Sequence, residues 1–152
     1  MKKILFVCTG NMCRSPMAVG LVKKALPQGG DVEISSAGLI VSDGLPASPN
    51  AIKVMAEEDI DISGHQSRHL TREIVTGTDV IFVMTQWHKL ELINLLEKPG
   101  KEIYLIKELM KNKLRDSLDI EDPIGKSIVF YRKCRDEIKK AVPTMLEKIL
   151  KK

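Results

Sequence analysis

Cys8 and Arg14 stand at the two ends of a loop reading Cys-Thr-Gly-Asn-Met-Cys-Arg, followed at once by Ser15-Pro16. An apolar run leads into this loop and a helix-like pattern leads out of it. A short loop between a strand end and a helix start can curl so that its backbone N–H groups point inward. With the positive end of the helix dipole behind it, such a nest binds anions. Gly10 and Asn11 are the residues best able to take the left-handed backbone that the curl requires. The planar fork of Arg14 fits two oxygens of a tetrahedral oxyanion. The Ser15 hydroxyl can cap the helix or hydrogen-bond the Cys8 sulfur. Backbone donors, dipole and guanidinium all favour thiolate over thiol at Cys8. A thiolate facing a bound phosphoryl group is a nucleophile for in-line attack at phosphorus. Read alone, Cys8 would be a small buried hydrophobe ending a strand, but that reading leaves its neighbours unexplained.

A nucleophile alone would be phosphorylated once and stop. Turnover needs a general acid for the leaving group that later activates water. Asp122 in Glu121-Asp122-Pro123 is the candidate, since Pro123 stiffens the backbone just before the last helix. Asp-Pro is also an ordinary turn, and Asp119 and Glu121 compete for the role. Cys13 lies in the same loop as Cys8, so it can trap an oxidised Cys8 as a reversible disulfide or simply pack beneath the loop.

These groups need elements to hold them. Residues 2–8 read as a fully buried strand, being continuously apolar and β-branched after two lysines. Ser15-Pro16 predicts an N-cap and first helical residue, and Met17, Val19, Leu21, Val22 and Leu26 carry the helix to Pro27-Gln28-Gly29-Gly30. A second strand follows at 31–38 and a Gly/Pro-rich loop at 39–50. Ser48-Pro49 starts a second helix, and Thr71 caps a short one at 72–75. Strands at 79–85 and 102–106 flank a helix at 88–97. The last helix carries Ile128, Tyr131, Cys134, Ile138, Val142, Met145 and Ile149 at helical spacing, and Pro143 should kink or split it. Alternating strands and helices imply a parallel sheet with right-handed crossovers, hence an α/β/α three-layer sandwich of the α/β class. Ligands in such sheets bind beyond the carboxyl ends of the strands, where Cys8 lies.

The 152 residues, 43% apolar and 29% charged, suit one globular domain spanning 1–152. No apolar run reaches the roughly 20 residues of a membrane span. The basic-then-apolar start, MKKILFVC, is too short for a signal peptide and ends in a turn. A net charge of +4 suits a solvated surface better than a nucleic-acid partner. Three cysteines, two in one loop, argue for a reduced compartment, so the chain is expected in the cytoplasm without membrane association.

Val7–Pro16, Ser36-Ala37-Gly38, Ser63–Arg68 and Asp122-Pro123 together resemble the low-molecular-weight protein tyrosine phosphatases, in order and over essentially the whole chain. The resemblance implies a four-stranded parallel sheet in a flavodoxin-like arrangement. It implies Cys8 as nucleophile, Arg14 as phosphate clamp and Asp122 as general acid and then base. Thr9, Gly10, Asn11, Met12, Cys13 and Ser15 would line the phosphate, with Asn11, Ser15, Ser36 and His65 forming a buried polar network. Phosphorylated proteins would be the substrates, inorganic phosphate or another oxyanion would fill the loop, and no metal or organic cofactor is implied.

Tyrosine-directed members often follow Asp-Pro with two tyrosines; here Ile124-Gly125 stands instead, closer to the bacterial branch that includes protein arginine phosphatases. Against that, Met12 offers an aryl ring an apolar contact, where arginine-directed members tend to carry threonine. Trp87, just after the third strand, is a candidate aromatic wall beside Ile124. The balance favours phosphotyrosine, with phosphoarginine as the alternative. Two further rivals are weaker. An arsenate reductase needs two more cysteines close together, and only Cys134 remains. A non-hydrolytic phosphocarrier has no use for a paired Arg14 and Asp122.

Overall fold

The amino-terminal apolar run forms β1, Lys2–Cys8, at the centre of a parallel sheet ordered β2-β1-β3-β4. β2 is Val32–Gly38, β3 is Val80–Val83 and β4 is Glu102–Leu105. The computed structural model describes residues 1–28, 30–96, 101–110 and 117–151. Both faces of the sheet are covered, as a parallel sheet requires. Ile4, Phe6, Val80 and Phe82 pack on one side beneath α1 (Arg14–Ala25), α2 (Pro49–Ala56) and α5 (Ile128–Leu150). Leu5, Val7, Ile81 and Val83 pack on the other beneath α3 (Arg72–Thr76) and α4 (Gln86–Leu95). The Phe6 and Phe82 rings stack at 5.2 Å between centroids, tying β1 to β3 inside the first core.

Most expected elements are present, with three corrections. Helix α1 starts at Arg14, with Cys13 rather than Ser15 at its N-cap, because the Cys13 carbonyl accepts the first helical bond, from Met17 N–H at 3.2 Å. Pro16 then sits at the third helical position, where its missing N–H still costs nothing. Helix α4 begins at Gln86 with Thr85 as N-cap, two residues before the expected start; Glu97, its expected last residue, lies outside the described residues, as does Gly29. Helix α5 runs unbroken through Pro143. Pro143 and Lys139, whose carbonyl loses its partner, both lie on the exposed face, so water can replace the missing bond. The buried face of α5 carries Tyr131, Cys134, Ile138, Val142, Met145 and Ile149, while Ile128 is only partly covered.

Candidate active site

Cys8 closes β1 opposite Gly38 of β2, and the chain from Thr9 to Cys13 curls back over the sheet edge before α1 begins. The Cys8 sulfur accepts the Asn11 N–H at 3.2 Å and lies 3.0 Å from Ser15 Oγ. Asn11 Nδ2 donates to Ser15 Oγ at 2.7 Å, which leaves the serine proton free to turn toward the sulfur. Two such donors stabilise a thiolate. Ser15 therefore serves the sulfur and caps nothing.

Asn11 is the keystone of the curl. Its φ of 56° is left-handed, a conformation Asn tolerates and most residues do not. Gly10 does not share it, so the curl turns on Asn11 alone of the expected pair. The Asn11 side chain also donates to Ser36 Oγ at 2.9 Å and accepts the Arg68 N–H at 2.9 Å. Its carbonyl accepts His65 Nε2–H at 2.6 Å. Burial pushes the His65 pKa down, opposed by that carbonyl. Ser36 and His65 thus meet at Asn11, and the Arg68 amide joins them without having been anticipated. Gly38 is fixed by contact: a Cβ there would lie 2.7 Å from the Thr9 carbonyl oxygen.

Arg14 is buried, 3% exposed, and anchored by Nη1 donating to the Ile120 carbonyl at 2.8 Å. Nη2 donates to Thr9 Oγ1 at 3.2 Å and lies 3.5 Å from Asp122 Oδ2. Nε is buried with no partner among the described residues. A buried guanidinium N–H without an acceptor is costly, and a tetrahedral anion in the loop would supply one. Asp122 is oriented by its own turn, Oδ1 accepting the Ile124 N–H at 3.1 Å. Its competitors face elsewhere. Asp119 Oδ1 accepts the Gln86 N–H at the start of α4, and Glu121 pairs with Lys126. A cavity of about 210 Å³ is lined by Cys8, Thr9, Gly10, Met12, Cys13, Arg14, Asp122 and Ile124. Of the expected site residues, Ile124 is therefore on the rim.

Trp87 is not among those lining residues. It is 45% exposed on the first turn of α4, and its neighbour His88 is the side chain that turns inward. His88 is fully buried. Its Nδ1 accepts the Thr85 N–H at 3.1 Å, and its Nε2 is 2.9 Å from Thr9 Oγ1. Burial, helped by the nearby Arg14 charge, pushes its pKa down to about 3, so the ring is neutral at any working pH. In the sequence His88 is marked only by Thr85 three residues before it, a spacing that fits an N-cap and says nothing of a site.

A family model described as low molecular weight phosphotyrosine protein phosphatase matches residues 3–152. The chain belongs to that family. The phosphatase is 34% identical over 148 residues to the probable low molecular weight protein-tyrosine-phosphatase EpsP of Ralstonia nicotianae, covering 97% of this chain and 96% of the relative. It is 37% identical over 150 residues to the protein-arginine-phosphatase of Bacillus subtilis, covering 98% and 97%. A crystal structure of a low molecular weight protein tyrosine phosphatase from T. tengcongensis superposes with a TM-score of 0.85 at 37% identity, covering 97% of this chain and 99% of that one.

Cys13 of the phosphatase faces away from water, its sulfur 3.2 Å from Ser48 Oγ and 3.6 Å from the Tyr131 hydroxyl. Burial pushes the Cys13 thiol up, so Cys8 is the group expected to meet an oxidant first. Peroxide would convert the Cys8 sulfur to a sulfenic acid, and the Cys13 thiol would displace water from it to form a disulfide. Inactivation by peroxide is therefore expected to be reversed by a dithiol reductant in the wild-type chain and to become irreversible in Cys13→Ala. Equal recovery of the two would assign Cys13 to packing alone.

Proposed function

We propose that this phosphatase hydrolyses phosphorylated protein side chains through a phosphocysteine on Cys8, within one domain spanning 1–152. The buried, unpartnered Arg14 Nε–H and the doubly hydrogen-bonded Cys8 sulfur, on two residues that line one cavity, carry the reading. Cys8 attacks phosphorus while Asp122 gives its proton to the departing oxygen or nitrogen. Asp122, now a carboxylate, takes a proton from water. That water attacks the phosphocysteine, the P–S bond breaks, and inorganic phosphate leaves. Thr9, Gly10, Asn11, Met12 and Cys13 carry the loop around the anion, and Ser36 and His65 hold Asn11 in place. No step requires a cofactor.

An oxidoreductase of the arsenate type would need a relay of further cysteines. The chain has three in all. The third, Cys134, is buried in α5, where burial pushes its thiol up. All three are free thiols, and no helix among the described residues is long and apolar enough to cross a membrane. A cytoplasmic home fits both observations.

For the substrate, phosphotyrosine is favoured because Met12, within the loop, and Ile124, after the Asp122-Pro123 turn, are large apolar residues lining the cavity. A thioether gains from contact with an aryl ring. It leaves the N–H groups of a phosphorylated guanidinium without acceptors, at a cost of about 1–3 kcal/mol each. The relative named a protein-arginine-phosphatase supports the second reading. Measuring kcat/KM on both substrates decides between them. Wild type should prefer the aryl phosphate, and Met12→Thr should move the ratio toward phosphoarginine. A wild type that prefers phosphoarginine would overturn the tyrosine reading.

A further inference from the structure

The hydroxyl of Thr9 has an unusual set of neighbours. Because the Thr85 N–H occupies His88 Nδ1, the neutral ring carries its proton on Nε2. That proton is donated to Thr9 Oγ1 across 2.9 Å. Arg14 Nη2 donates to the same oxygen across 3.2 Å. A hydroxyl has two lone pairs and one proton. With both lone pairs filled, the Thr9 proton points away from His88 and Arg14, and it meets no acceptor among the described residues. Thr9 is also a wall of the cavity that holds Cys8, Arg14 and Asp122.

We propose that the Thr9 hydroxyl is a further hydrogen-bond donor to the tetrahedral anion, and that His88 is the positioning residue that aims it. The proposal rests on the phosphatase reading of the cavity and adds to it a side-chain donor set from behind by α4. Two incoming donors, one of them charged, polarise the hydroxyl and make it a better donor. The same oxygen steadies Nη2 of Arg14, so His88 acts on both groups without touching the substrate.

Inorganic phosphate is the probe, because its binding can be measured by calorimetry whether or not the protein turns over. Thr9→Val keeps the shape of the side chain and should weaken phosphate binding by about 10-fold, the usual scale for a hydrogen bond to a charged group. Thr9→Ser should restore most of it. Two substitutions separate the two nitrogens of His88. His88→Asn can still accept from the Thr85 N–H but falls short of Thr9; His88→Gln reaches Thr9 but leaves Thr85 unpaired. Gln should therefore bind phosphate more tightly than Asn, even if it melts at a lower temperature. In the Thr9→Val background, His88→Asn should cost no further affinity. Phosphate binding by Thr9→Val equal to wild type would overturn the proposal, as would an Asn effect that persists undiminished in that background. A wild type that binds phosphate but hydrolyses nothing would instead defeat the hydrolytic reading and leave this one standing.

Discussion

Cys8→Ser is expected to lose turnover while still binding phosphate. The serine oxygen would sit where the sulfur now accepts from Asn11 N–H and lies beside Ser15 Oγ. Those donors can stabilise a thiolate because a thiol ionises within reach of neutral pH, whereas a hydroxyl stays protonated there and is a weak nucleophile. Arg14, Asn11 and the loop backbone are untouched by the change, so the cradle remains. The measurements are steady-state hydrolysis of an aryl phosphate and calorimetric binding of inorganic phosphate. A serine variant keeping a tenth of the wild-type rate would defeat the covalent mechanism. One that lost phosphate binding as well would show that the sulfur holds the loop together.

Asp122→Asn or Asp122→Ala should slow hydrolysis by about 10²–10⁴-fold, the usual contribution of a general acid. The loss should shrink for esters whose leaving groups depart without a proton, such as nitrophenolates. Geometry singles out this carboxyl: Oδ2 is 3.5 Å from Arg14 Nη2, while Asp119 is occupied by the Gln86 amide. Asn keeps the turn with the Ile124 amide, so it separates loss of the proton from loss of the loop's shape. A rate loss equal for good and poor leaving groups would remove Asp122 from proton transfer.

The sheet and the nucleophile loop are plain in the sequence because each is a local pattern. Residues 4–7 are apolar without interruption, and a strand buried on both faces has to be. Cys8 to Ser15 are neighbours along the chain, so their spacing already encodes their meeting. Ser15-Pro16 is a sound local cap, and only the contacts of Ser15 with Cys8 and Asn11 show why α1 begins earlier. Pro143 does not split α5: the cost of an internal proline depends on which face it occupies, and that is settled by packing. Trp87 and His88 differ by one position, about 100° around a helix, and residue types alone do not distinguish which of the two turns inward. His88 acquires a role only through a contact between residues 79 positions apart. The Arg68 amide reaches Asn11 over a similar gap of 57, and a backbone donor leaves no mark in residue types.

Gly38 divides the site into parts that can and cannot drift. A Cβ there would come within 2.7 Å of the Thr9 carbonyl and 2.9 Å of the Asn11 nitrogen, both backbone atoms. The end of the second strand is thus a mould against which the nucleophile loop is cast, and at Gly38 it has no room for even one methyl group. Any attempt to retune the catalyst by altering the loop's base would deform the curl before it changed the chemistry. Latitude lies at cavity-lining residues that are less enclosed. Met12 is only partly buried and Ile124 is half exposed; neither side chain is enclosed on all sides. Laboratory evolution toward a new leaving group should therefore accumulate its substitutions at those two positions, leaving the mould untouched.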